Sequence, residues 1–176
     1  MASRFDSIDY LQSGSPYQQQ AYAVLLKHAV FTKLCGFDPV LAGTIPIDIA
    51  IPSSDLDILC YYSNPLEFKA HLLAGFGHYE GFSLSGLQEP RAIVANFRAD
   101  EFEIEIFGQD IPTQQQRGYR HLLVEHYLLE THGEAFRQQV IALKQQGIKT
   151  EPAFAQLLGL EGDPYTELLV YEKYLK

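Results

Sequence analysis

The hydrophobic period of this sequence changes once along the chain, and that change limits what it can fold into. From Pro39 to Phe107 the apolar residues recur mainly at strand spacing, whereas from Thr113 onward the spacing is helical. Pro39 to Ala42, Leu56 to Tyr62, Tyr79 to Leu84, Ala92 to Phe97 and Phe102 to Phe107 read as strands. Connections containing Gly86, Pro90 or Asp100 separate the last three, and such short links predict antiparallel neighbours. Helices flank and interrupt the strands. Ser15, Pro16 and Gln18 form a capping box with proline at the first helical position, and Tyr22, Leu25, Leu26, Ala29, Val30 and Leu34 make an apolar stripe behind it, up to Gly36. Asn64-Pro65-Leu66-Glu67 opens a second helix that runs to near Gly75. Four more are expected over about Thr113 to Thr131, Glu134 to Gln146, Glu151 to Leu158 and Pro164 to Tyr174, punctuated by Gly133, Gly147 and Gly162-Asp163-Pro164. The expected class is α+β: a small mixed or antiparallel sheet of five strands flanked by helices, with a helical C-terminal third. Residues 1–112 would form the α/β core and residues 113–176 a helical extension packed on it in one compact unit.

Composition narrows the functional classes. A net charge of −9 argues against avid binding to long nucleic acid or to an anionic membrane. No segment is apolar for long enough to span a bilayer, and the start of the chain lacks the basic and apolar regions of a secretory signal, so a cytoplasmic location is expected. Cys35 and Cys60 lie outside any CxxC pair and are expected to be reduced and buried. Arg91, Arg98, Arg117 and Arg120 supply local positive charge around the strands and the following helix.

The chemistry-bearing residues gather in the middle of the chain. Asp55 and Asp57 are two apart at the start of an apolar strand, so they project together while Leu56 and Ile58 point to the core. Two adjacent carboxylates at a core edge repel one another unless a cation lies between them. Mg²⁺ or Mn²⁺, hard ions that take oxygen ligands and keep positions open for phosphate, fit that demand. Phe102-Glu103-Ile104-Glu105-Ile106-Phe107 alternates strictly, and if this strand lies beside Leu56 to Tyr62, one of its glutamates completes a three-carboxylate cluster. Glu105 is the first choice because it is nearest the expected Gly108 turn, with Glu103 in reserve. Gly43 lets backbone approach a ligand, and the Thr44 hydroxyl adds a donor.

Ala42-Gly43-Thr44, a ten-residue spacer, Asp55-Leu56-Asp57-Ile58 and a later acid together resemble the nucleotidyltransferase superfamily that includes DNA polymerase beta and the kanamycin and minimal nucleotidyltransferases. Thr44 departs from the Ser or Gly more usual there. Gly43-Thr44-Ile45-Pro46, Ser54-Asp55-Leu56-Asp57, Phe107-Gly108-Gln109 and Tyr119-Arg120-His121 are similar to a bacterial branch of that fold. The resemblance implies a metal-dependent transfer of an NMP group from an NTP to a hydroxyl of a small molecule or protein. Asp55, Asp57 and Glu105 would be catalytic and metal-binding, with Gly43, Thr44, Ser54 and Arg120 at the nucleotide. His121 and Glu125 would shape the acceptor or triphosphate pocket, and a helix-surface salt bridge from Arg120 to a glutamate is the competing reading.

Other chemistries lack support. There is no Walker A or GxGxxG sequence, and Gly81-Phe82-Ser83-Leu84-Ser85-Gly86 has its second glycine one residue late for a nucleophile elbow. His121 and His126 are five apart, a poor spacing for two ligands on one helical face. An alternative of a different class keeps the fold without catalysis: an interaction module such as an antitoxin-type partner. Such a module would act through a protein partner or a homodimer.

Overall fold

The computed structural model describes residues 4–87 and 91–175. Its sheet has five strands, β1 (Val40–Ala42), β2 (Leu56–Tyr61), β3 (Glu80–Leu87), β4 (Ala92–Ala99) and β5 (Phe102–Gln109), in the order β1-β2-β5-β4-β3. β3, β4 and β5 form an antiparallel meander and β1 pairs antiparallel with β2, but β2 and β5 run parallel. The helices are α1 (Pro16–Lys27), α2 (Val30–Lys33), α3 (Pro65–Phe76), α4 (Arg117–Gln145), α5 (Thr150–Leu158) and α6 (Pro164–Glu167). The expected α+β class, with its helical C-terminal third, is the observed one.

Local chemistry accounts for the helix starts. The Ser15 hydroxyl accepts from Gln18 N–H while the Gln18 side chain accepts from Ser15 N–H, with Pro16 at the first turn. Asn64 Oδ1 accepts from the backbone of Leu66 and Glu67 ahead of α3. The apolar stripe after Ser15 is not one helix: Ala29 takes a left-handed conformation (φ 51°) and divides α1 from α2, leaving Leu26 exposed. Thr113–Gln115 is a 3₁₀ turn, so α4 starts at Arg117, and Gly133 (φ 76°) kinks it where two helices were expected. The final segment is helical for only one α turn before continuing as 3₁₀ over Leu168–Tyr174.

Two expected turns are strand. Gly86 lies inside β3, opposite Ile93, and Gly108 lies inside β5, opposite Ile93 of β4 and Cys60 of β2. Gly108 is required there by packing, because a Cβ would stand 2.2 Å from the Phe68 ring of α3. Pro90 falls outside the described residues. Cys60 is buried as expected, but Cys35 is exposed, being at the start of the short turn after α2; both are free thiols.

The two sheet faces have separate cores. On one face Leu56, Ile58, Cys60, Ile93, Ala95, Phe97, Ile104 and Ile106 pack with α1, α2 and α3. On the other, Val40, Ala42 and Leu59 pack with α4, α5 and the C-terminal turn. Gly118 lets α4 come close there, since a Cβ would meet Leu59 at 3.2 Å. Gln116 fixes the start of α4 by donating to the carbonyls of Cys60 (2.8 Å) and Ile111 (2.9 Å). Side chains two apart share a face, so Asp57 follows Leu59, and Glu105 follows Phe107, out of this second core into open space.

Candidate functional site

That open space is a cleft of about 1410 Å³ between the second sheet face and the helical segment. Asp55, Asp57 and Glu105 lie along its sheet side. Parallel pairing puts Asp57 in register with Glu105 on the adjacent strand, while Ala42 is the partner of Asp57 on the other side. Glu103 does not line the cleft: it is exposed and ion-paired to Arg98 of β4 at 3.2 Å. The parallel register therefore separates the two candidate glutamates.

The carboxylates crowd one another. Burial pushes Asp57 well above the usual carboxylate range, and the neighbouring charges of Asp55, Glu105 and Glu151 push it further, with Lys144 acting in the opposite sense. Burial, then Asp55, raises Glu105 as well. Such a group of hard oxygens with unfavourable mutual charge fits a divalent cation. The Gly43 backbone lies directly against Asp57: φ is +71°, and a Cβ would stand 2.1 Å from the Asp57 carboxylate. Glycine is thus required on both conformational and steric grounds.

The loop between β1 and β2 is ordered by its own polar groups and by the helices. The Ser54 hydroxyl accepts from Ile51 N–H at 3.0 Å and from the Thr44 hydroxyl at 3.2 Å. Gln18 donates to the Ile45 carbonyl at 2.7 Å, Arg137 to the Ile47 carbonyl, and Lys144 to the Ile49 carbonyl at 2.8 Å. Gly43, Thr44 and Ser54 all line the cleft. Arg120 lines it too, but its guanidinium forks onto Glu172 at 2.6 and 2.7 Å, which is the salt-bridge arrangement weighed against a phosphate contact.

The opposite wall brings in residues that sequence reasoning did not assemble. His121 and Glu125 lie one helical turn apart on α4, and Glu151 belongs to the first turn of α5. Lys144, near the end of α4, is 7% exposed, and burial lowers its pKa to about 8 against the raising influence of Glu125, Asp57, Asp55 and Glu151. It therefore stands electrostatically between the two acidic groups. Glu125 was singled out from the sequence as a pocket residue. Lys144 and Glu151 lie on elements separated from the motif, so nothing in their local sequence marked them.

The sheet order and the parallel pairing of β2 with β5 match the nucleotidyltransferase fold of solved structures. The chain is similar in structure to the protein in "structure of GLD-2/RNP-8 complex", with a TM-score of 0.57, 12% identity, and coverage of 84% of this chain and 59% of that one. It is also similar to a Cid1 poly(U) polymerase mutant bound to MgATP (TM-score 0.54, 14% identity, 94% and 55% covered). The MgGTP-bound Cid1 poly(U) polymerase gives a TM-score of 0.52 at 15% identity, with 81% and 48% covered. The chain thus spans between about half and three fifths of the length of these relatives, and at such identities the likeness is one of fold. No curated protein matches it. Residues 23–171 match a family described as "Domain of unknown function (DUF4269)", and the chain belongs to that family. The match spans both acidic groups of the cleft. Among the described residues no helix is long and apolar enough to cross a membrane.

Proposed function

We propose that this protein is a divalent-metal-dependent nucleotidyltransferase that moves an NMP group from an NTP to a hydroxyl of a small molecule or protein. The observation that carries this reading is the register of Asp57 with Glu105 on adjacent parallel strands, with Asp55 two residues away and the bare backbone of Gly43 against the Asp57 carboxylate. Asp55, Asp57 and Glu105 would hold Mg²⁺ or Mn²⁺, which supplies neutralisation of phosphate charge and a lowered pKa for the acceptor hydroxyl. Asp55 and Asp57 would hold that ion from β2, and Glu105 would take the acceptor hydroxyl proton or align the hydroxyl as its oxygen attacks the α-phosphate in line, with the bond to the β-phosphate breaking and pyrophosphate leaving. The left-handed backbone at Gly43 and the hydroxyl of Thr44 would face the phosphates. A cleft of about 1410 Å³ has room for a nucleotide and a second substrate together. The acidic lining and the net charge of −9 favour a compact acceptor over a long polyanion.

The decisive measurement is thermal shift with ATP, GTP, CTP and UTP, with and without Mg²⁺, on the wild type and on Asp55→Asn/Asp57→Asn. A nucleotide-dependent rise in Tm that needs Mg²⁺ and is absent from the double variant is expected. At a nucleotide concentration one hundred times Kd the rise corresponds to about 2.7 kcal/mol. An equal shift in the double variant would sink the proposal, and no shift with any nucleotide would favour the interaction-module reading.

A further inference from the structure

The helical wall of the cleft holds a donor set that nucleotidyl transfer by the sheet carboxylates does not use. His121, Glu125 and Glu151 each offer one ligand atom, and these atoms all lie within 4.8 Å of one another. His121 and Glu125 are four residues apart, the spacing that puts two ligands on one helical face. Glu151 reaches them from α5.

Hydrogen bonding among the described residues leaves the imidazole of this set unsatisfied. His121 is 5% exposed, and both its ring nitrogens are buried with no hydrogen bond. The Tyr165 ring stands edge-on, 6.3 Å between centroids, and the Tyr165 backbone faces the imidazole without reaching hydrogen-bond geometry. Glu125 is 3% exposed. The nearby cations make their hydrogen bonds elsewhere, Lys144 to the Ile49 carbonyl, Arg117 to Thr166 and Arg120 to Glu172, and Lys144 acts on Glu125 only through its charge. Among the described residues no lysine or arginine forms an ion pair with Glu125 or Glu151. A buried imidazole with neither nitrogen satisfied, beside two converging carboxylates, is costly unless something positive that accepts nitrogen lone pairs joins them. An ammonium group could donate to the carboxylates and to one imidazole nitrogen, but among the described residues no lysine or arginine is hydrogen-bonded or ion-paired to them. A borderline divalent metal satisfies all three.

We propose that His121, Glu125 and Glu151 form a second metal site, of the Zn²⁺ class, that ties α5 to α4 across the cleft from the sheet carboxylates. Three protein ligands leave at least one coordination position for water or for a molecule in the cleft. The site stands on its own residues and does not depend on nucleotidyl transfer.

The test is zinc uptake without nucleotide. Chelator-treated wild type, Glu151→Gln, His121→Asn and Asp55→Asn/Asp57→Asn are equilibrated with buffered Zn²⁺, and bound metal is counted by elemental analysis. Co²⁺ replaces Zn²⁺ in a parallel series read by visible absorption. A tight Zn²⁺ and its Co²⁺ spectrum should persist in Asp55→Asn/Asp57→Asn, while any further metal that the wild type takes up on the sheet carboxylates is lost there. Glu151→Gln and His121→Asn should bind at least about tenfold more weakly. Glu151 is only half-buried on a short helix, so its variant keeps the test valid if His121→Asn does not fold. No uptake by the wild type, wild-type affinity in Glu151→Gln or in folded His121→Asn, or loss of the tight Zn²⁺ in Asp55→Asn/Asp57→Asn would each overturn the proposal. Failure of the NTP experiment leaves all of these readouts unchanged.

Discussion

The two faces of the sheet are built from the same strands and have opposite characters. On the α1/α3 face every inward position of β2 and β5 is apolar, and aromatic rings close the layer: Phe97 stacks on Phe76 at 4.9 Å and meets Tyr79 at 4.9 Å. On the α4/α5 face the same strands carry Leu59 and Phe107 and then change to Asp57 and Glu105. The first face removes apolar surface from water, while the second spends part of its covered area on carboxylates held at unfavourable pKa values. One strand pair thus gives the molecule its stability from one side and its chemistry from the other.

The contrast can be broken most strongly from the closed face. Phe97→Ala should lose about 3–5 kcal/mol of stability in denaturant melts. Folded Phe97→Ala should retain the Mg²⁺-dependent nucleotide shift, and a lost shift would show that the faces are not independent. Gly43→Ala, on the open face, should lose about 1–2 kcal/mol from its left-handed conformation. By displacing the Asp57 carboxylate, it should also abolish the nucleotide shift in the fraction that folds. If Gly43→Ala binds nucleotide normally, the close approach has no role in the site.

A smaller effect concerns protons. The folded protein holds protons on Asp57 and Glu105 to higher pH than the unfolded chain does. Their contribution to stability is therefore fully present below the ordinary carboxylate pKa of about 4 and is lost as pH rises through the raised folded values. In chelator, Tm should fall with rising pH above about 4, and Asp57→Asn should flatten that slope. An unchanged slope in Asp57→Asn would assign it to other groups. Arg120→Ala should matter least: its pair with Glu172 is partly exposed, which makes it worth about 0.2–1 kcal/mol. A nucleotide shift that also shrinks in this variant would place Arg120 at the phosphates, and an unchanged one would leave it as a tie to the C-terminal turn.

Much of the closed face was legible in the sequence, because short-range rules govern it. The capping box at Ser15, the Asn64 cap and the alternating strands all depend on residues within a few positions of each other, as does the Gly133 break on the other face. Asp55 and Asp57 were legible for the same reason, and the alternation of β5 limited the third acid to a few glutamates. What the sequence could not tell was register: Gly86 and Gly108 look like turn residues until the strands that oppose them are known. The helical wall was harder still. His121 and Glu125 read together as pocket residues, but as metal ligands only His121 and His126, five apart, came into view. Glu151 and Lys144 reach the cleft only through the packing of α5 and the far end of α4, for which no local pattern exists.

The parallel pairing of β2 and β5 also has a consequence for the order of events as the chain is made. Asp57 leaves the ribosome before α3, β3 and β4, and Glu105 only after them, so the carboxylates cannot meet until the whole meander has been synthesised and docked beside β2. Joining two strands so far apart in the chain is entropically slow compared with closing a hairpin. Until it is done, Asp55 and Asp57 are two solvated side chains with no crowding to relieve. The charge repulsion that would draw in a cation is therefore absent from the nascent chain and is switched on by the last long-range step of sheet assembly.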